Sequence, residues 1–155
     1  MRKKKKYKRD HEPDINFNSV IVGRFVNFLM KDGKKSTAEK ILYDCFENVK
    51  RETKQEPLEV FEKAINNASP MLEVISKRVG GANYQVPREI RPDRKFFLAC
   101  NWIINAAKSK KGKEMSKKLA EELILALKNE GTAIKKKQDM HRMAEANRAF
   151  AHFAR

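Results

Sequence analysis

The spacing of apolar residues changes character within this chain, and the change limits what it can fold into. Before Ser69-Pro70, Ala38, Ile41, Leu42, Cys45, Phe46 and Val49 recur at i, i+3, i+4, i+7, i+8 and i+11, one face of an α-helix. Ser36 and Glu39 are spaced as a capping box for that helix. Upstream, Ser19 is placed to cap a helix running to Lys31, with Gly33 as its left-handed stop. Pro57 opens a third helix at its first position, with Val60, Phe61, Ala64, Ile65 and Ala68 as its stripe. Residues 71–79 and 82–90 then flank Gly80-Gly81, a two-residue turn that demands positive φ. Pairing outward sets Val79 opposite Ala82, Lys77 opposite Tyr84, Ile75 opposite Val86 and Glu73 opposite Arg88. Ser76, Arg78, Asn83 and Gln85 fall on the other face. Such arms reach about 30 Å at ~3.3 Å per residue. A lone two-stranded ribbon is marginal in water, so this one needs a surface to lie against.

Helical spacing returns at Pro92, with Phe96, Ala99, Cys100, Ile103 and Ala107 on one face. A lysine-dense loop (108–118) leads into Met115, Leu119, Leu123 and Leu127, a helix ended near Asn129 and Gly131. Thr132 is positioned to cap a last helix that carries the run 141–148. The expectation is a mainly α protein: a bundle of about six helices with an inserted, protruding β-hairpin at about 71–90. Residues 19–155 form its single domain. Residues 1–18 form a basic arm and connector, and the like-charge block 2–9 cannot pack without an anionic partner.

At 155 residues the chain buries roughly 70% of its unfolded surface and needs neither disulfide nor metal. Cys45 and Cys100 each sit in an apolar stripe and read as buried free thiols, which suits a reducing, cytosol-like compartment. No apolar run approaches the ~20 residues of a membrane span. The basic start is followed by no apolar stretch, so it does not read as a secretory signal.

Catalytic chemistry finds little support. His11, His141 and His152 are the only histidines. The last two, eleven residues apart, could share a face of the terminal helix, and neither has a Cys nearby or a carboxylate at metal-ligand or triad spacing. Gly33-Lys34-Lys35-Ser36 echoes a phosphate loop, but Phe28 stands where the first glycine belongs and Lys35 interrupts the Lys-Ser pair. No enzyme, cofactor or metal site is expected.

Charge is more informative. Lys and Arg number 35 against 20 Asp and Glu, a formal net charge of +15. An excess of that size repels itself in a compact state and is best neutralised by a polyanion. It falls into clusters at 2–9, 34–35, 77–95, 108–118 and 135–142, mostly at loops, helix ends and the ribbon. That spread suits a folded RNA wrapped around the protein better than a straight duplex. Neither a recognition helix nor the aromatic motifs of a base-stacking sheet are present. An architectural DNA-binding protein and an mRNA-binding repressor remain open at this point.

Three stretches carry a more specific resemblance. Ser19, Ile21, Phe25-Val26, Gly33-Lys34-Lys35, Ile41-Leu42 and Cys45 fit one signature, residues 78–87 a second and residues 141–152 a third. Together the chain resembles small-subunit ribosomal protein seven of bacterial type. Where that family commonly has Pro-Asp-Pro and then a glycine, this chain has Pro13-Asp14-Ile15 and Asn18, and it ends at Phe153-Ala154-Arg155 without an aromatic-rich extension. The resemblance implies a cytoplasmic primary binder of the 3′ domain of small-subunit rRNA. It would nucleate folding of the subunit head beside the exit-site tRNA and mRNA path, with small-subunit proteins nine and eleven as neighbours.

Candidate rRNA contacts are Arg2, Lys3, Lys4, Lys5, Lys6, Lys8 and Arg9 in the arm, Lys34 and Lys35, and Arg91, Arg94 and Lys95. Lys108, Lys110, Lys111, Lys113, Met115, Lys117 and Lys118 come next in the loop, and Lys135, Lys136 and Lys137 in the last helix. Lys77, Arg78, Gly80, Gly81, Asn83, Tyr84, His141, Arg142 and Arg148 are the candidates for the tRNA and mRNA side.

Overall fold

The computed structural model describes residues 11–154; the arm candidates Arg2 to Arg9 lie outside them. Six α-helices, α1 (Val20–Leu29), α2 (Lys35–Thr53), α3 (Pro57–Ala68), α4 (Pro92–Ser109), α5 (Met115–Leu127) and α6 (Thr132–Ala146), enclose one apolar core. A β-hairpin, β1 (Leu72–Val79) and β2 (Ala82–Glu89), is inserted between α3 and α4, and a 3₁₀ helix (Arg148–Ala154) closes the chain. The fold is therefore mainly helical with one antiparallel ribbon, as the change of period implies.

The stripes form the core. Ala38, Leu42, Cys45, Phe46 and Val49 of α2 and Val60, Phe61, Ala64 and Ile65 of α3 are buried. Phe61 packs edge-on against both Phe25 and Phe46, at ring-centre distances of 5.1 and 5.4 Å, a geometry the aromatic quadrupoles favour. Both cysteines are free and fully buried. Burial raises both thiol pKa values, that of Cys100 to about 12, so neither forms a reactive thiolate at neutral pH. No described helix is long and apolar enough to cross a membrane.

The ribbon has the register read from the sequence, from Val79 opposite Ala82 to Glu73 opposite Arg88. Gly80 and Gly81 take φ of 57° and 92°, which a side chain adopts only under strain. The ribbon's root is tied down by one carboxylate. Glu73, only 5% exposed, receives Arg88 Nη2 at 2.7 Å from across the ladder and Arg94 Nε at 3.3 Å from α4.

The connector is equally well held. The Asp14 carboxylate accepts the backbone N–H groups of Asn16 and Phe17 at 3.1 Å and the Tyr43 hydroxyl at 2.8 Å. Burial and then Asp14 push the Tyr43 phenol up to about 12, so it remains a donor. Asn18 stands where the resembled family has a glycine, and its φ is 47°, a left-handed conformation that asparagine tolerates better than most residues. The connector crosses α1 so closely that a Cβ on Gly23 would lie 2.8 Å from the Glu12 carbonyl oxygen.

Local capping expectations did not hold. α1 stops at Leu29 rather than Lys31, and Ser19 makes no side-chain cap bond although it occupies the cap position. Ser36 lies inside α2, whose cap position is Lys34; Glu39 pairs with Lys35 at 3.8 Å instead of closing a box. Thr132 is the first residue of α6 and does not cap it. The cap comes from a distant residue: Glu122 of α5, 0% exposed, accepts the Ala133 N–H at 3.1 Å and the Thr132 hydroxyl at 3.3 Å through Oε1. Its Oε2 lies 3.1 Å from Lys110 Nζ, an ion pair without hydrogen-bond alignment. A carboxylate at a helix N-terminus satisfies free N–H groups and complements the helix dipole. Gly131 makes room for it, since a Cβ there would lie 2.9 Å from Oε1. Asn67 of α3 similarly donates to the Ala126 and Leu127 carbonyls at the end of α5, at 3.0 and 3.1 Å.

Replacing Glu122 with alanine strands Lys110 and the N-terminus of α6. The expected loss is about 3 kcal/mol, within the range for breaking a buried pair. Urea unfolding checks it; a change below about 0.5 kcal/mol, the scale of ordinary surface substitutions, contradicts this role.

Candidate nucleic-acid interface

The ribbon's two faces differ. On one, Tyr84 packs against Phe150 and Phe153 of the 3₁₀ helix, at ring-centre distances of 5.1 and 5.5 Å. Lys77 Nζ donates to the Phe153 carbonyl at 2.6 Å. Residues three apart eclipse in a 3₁₀ helix; Phe150 and Phe153 accordingly stack with planes 12° apart and both meet Tyr84. The other face, with Ser76, Arg78, Asn83 and Gln85, is exposed along with the Gly80-Gly81 tip. Of the ribbon candidates, then, Arg78, Gly80, Gly81 and Asn83 are open, while Lys77 and Tyr84 bind the protein's own C-terminal segment.

The terminal helix is interrupted. α6 ends at Ala146, and Asn147 turns its amide back to the Met143 carbonyl at 2.8 Å. His141 and His152 consequently lie on different helices and share no face. The structure gives His141 a partner the sequence did not suggest: its Nε2 accepts the Met71 backbone N–H at 3.0 Å, fastening the root of β1 to α6. Arg142 and Arg148 are exposed and pair with Asp139 and Glu145 on their own turns.

The remaining basic candidates separate by partner. Arg94 is held by Glu73 and lies over the Phe97 ring at 5.2 Å. Lys110 and Lys113 pair with Glu121, Lys110 also with Glu122, and Lys117 with Glu114. Lys137 donates to the Asn67 carbonyl at 2.7 Å. Among the described residues no salt bridge engages Lys34, Arg78, Arg91, Lys95, Lys108, Lys111, Lys118, Lys135 or Lys136. These nine sit in the α1–α2 link, on the ribbon tip, at the two ends of α4, in the 110–114 loop, on α5 and in the first two turns of α6. Met115, half-buried, begins α5 and packs on the core. No group of three or more metal-ligating side chains occurs among the described residues.

The structure defines a helical protein with basic side chains in its loops, at its helix ends and on one open face of its ribbon. The comparisons make the class specific. The sequence model of the family Ribosomal protein S7p/S5e matches residues 1–148. The chain is 54% identical to small ribosomal subunit protein uS7 of Thermotoga maritima over 153 residues, 99% of both chains. It is 56% identical to uS7 of Desulfatibacillum aliphaticivorans over 146 residues, 94% of both, and 55% identical to that of Cytophaga hutchinsonii over 153 residues. The chain belongs to the Ribosomal protein S7p/S5e family, and as a member it is a structural protein of the small subunit of the cytoplasmic ribosome, not an enzyme.

The His141 contact makes the fold sensitive to acid. Burial, then the Lys137 ammonium, lower the His141 pKa below its ordinary 6.5. The native state therefore favours the neutral ring, whose bare Nε2 accepts from Met71. Its contribution is fully present above pH 6.5 and is lost as pH falls through the lowered native value. Urea midpoints should drop between pH 7.5 and 5.5 more steeply for the wild type than for His141→Gln. Equal pH slopes contradict the assignment.

Proposed function

We propose that the chain is a primary binder of the 3′ domain of small-subunit rRNA, nucleating assembly of the subunit head beside the exit-site tRNA and mRNA path. Family membership supports the subunit. The observation that supports the rRNA reading is the distribution of nine candidate cations, Lys34, Arg78, Arg91, Lys95, Lys108, Lys111, Lys118, Lys135 and Lys136, that no described carboxylate pairs. They lie around a core that does not need them, where side chains reach phosphates without disturbing the packing. The arm at 2–9 adds cations to the same partner, Lys113 and Lys117 add theirs where RNA outcompetes weak surface pairs, and Arg94, Lys110 and Lys137 add the donors that their internal partners leave over. Arg78, Asn83 and the Gly80-Gly81 tip serve the tRNA and mRNA side, as does the surface around Arg142 and Arg148. Small-subunit proteins nine and eleven are the proposed protein neighbours.

Filter-binding competition between a folded 3′-domain rRNA fragment and duplex DNA tests the reading. The protein should prefer the rRNA by more than tenfold, a selectivity typical of specific sites over non-specific ones. Equal affinity contradicts it and favours an architectural DNA-binding role. A second experiment separates the surfaces. Removing residues 2–9 should weaken rRNA affinity and flatten its salt dependence. Replacing Arg78 and Asn83 by alanine should leave that affinity within about twofold and instead disturb exit-site tRNA occupancy of assembled subunits. Identical behaviour of the two variants rejects this division.

A further inference from the structure

Where the ribbon leaves the helical body there is a cleft of about 360 Å³, bounded by the end of α3, the root of β1 and the first turn of α4. Its volume falls at the lower end of small-ligand sites, roughly 300–1,000 Å³. Ile65 and Pro70 form buried walls, and the half-buried Phe96 ring adds an aromatic surface. Met71, 69% exposed, stands at the mouth. An adjoining depression shares Ile65, Asn66 and Phe96 and adds Ile21 and Glu62, so the two form one trough. Lys95 and Lys137 border it.

We propose that this trough receives an unpaired base of single-stranded RNA, with Lys95 and Lys137 holding the adjacent phosphates. The proposal rests on the rRNA-binding reading above and gives it a particular seat. A base needs flat apolar contact for its faces and polar groups at its edge. Ile65, Phe96 and the polarisable Met71 supply the first. The Asn66 amide, both donor and acceptor, and the Glu62 carboxylate supply the second. The charge on the rim selects this occupant. An apolar side chain of a neighbouring protein would fill the floor but leave two ammonium groups uncompensated. Lys95 has no salt bridge among the described residues, and Lys137 spends one of its three donors on the Asn67 carbonyl. Burial lowers the Lys137 pKa, and a phosphate beside it would favour the charged form.

The seat is already formed. The Met71 N–H is held by His141 at 3.0 Å, its carbonyl accepts Ile90 N–H at 3.2 Å, and the Ser69 hydroxyl returns to the Ile65 carbonyl at 2.8 Å. Little ordering remains to oppose binding.

The test uses the full-length protein and a 3′-domain rRNA fragment carrying 4-thiouridine. Irradiation, digestion and mass spectrometry should find a nucleotide adduct on the peptide containing Met71 or Phe96. Met71→Ala and Asn66→Ala should each weaken affinity for the unmodified fragment, Met71→Ala by about tenfold, as expected for losing a stacked base, with an unchanged salt slope. Lys95→Ala should instead lower that slope by about 0.7, the effect of one lost phosphate contact to a single strand. Adducts found only elsewhere overturn the proposal, as does wild-type affinity in both Asn66→Ala and a normally melting Met71→Ala protein. Cross-linking of the trough to another subunit protein in assembled subunits overturns it in favour of a protein occupant. Failure of the wild type to bind the fragment at all overturns the rRNA reading itself.

Discussion

A single carboxylate buried between helices joins the two halves of the molecule. Glu122 caps α6 from α5 and draws Lys110 in beside it, and the C-terminal part of the chain depends on where α6 is set. α6 presents His141 to the root of β1 and carries, beyond its break at Asn147, the aromatic pair that backs Tyr84. Taking a charge out of water costs several kcal/mol unless it is paired and hydrogen-bonded. Glu122 is both, and the result is a joint with one geometry. Glu73 does the same for the ribbon and α4 through Arg88 and Arg94, and Asp14 for the connector and α2 through Tyr43.

These joints explain how a chain with a net charge of +15 keeps a compact fold. Acidic side chains are outnumbered, and among the described residues three of the four buried polar or charged ones are carboxylates located where elements meet. Most other ion pairs join exposed side chains one helical turn apart, such as Arg51 with Glu47 and Lys63 with Glu59, and contribute little to stability. The carboxylates are used largely on internal geometry and local turns. The cations left over are displayed at fixed positions, which on the proposed reading lets a folded RNA be recognised by shape as well as charge.

The apolar stripes, the proline-initiated helices and the ribbon's register were legible in the sequence, because each depends on spacing within one element. Gly80-Gly81 alone determines which residues of the ribbon face each other. The caps were not legible. Ser36 with Glu39 and Thr132 have the right local pattern, yet the bonds that end the helices come from Glu122 and Asn67, eleven and fifty-nine residues from their acceptors or donors. The break at Asn147 was also hidden, since the contacts that follow it, Phe150 and Phe153 against Tyr84, join residues far apart in the sequence. Among candidate contacts, the composition identified the cations; only the fold separates Arg78 and Lys95 from Lys77 and Arg94, whose first duty is internal. The proposed grouping of Asn66, Met71 and Phe96 carried no sequence signal because they come from α3, the approach to β1 and α4.

On the proposed reading, RNA of the small subunit surrounds the basic loops and the open face of the ribbon. Sucrose-gradient sedimentation of a lysate, with the chain tracked by quantitative mass spectrometry, tests this most directly. The chain should travel with small subunits and intact ribosomes in a constant ratio to their other proteins. Recovery only in the slowly sedimenting soluble fraction, with ribosomes intact, contradicts a ribosomal seat.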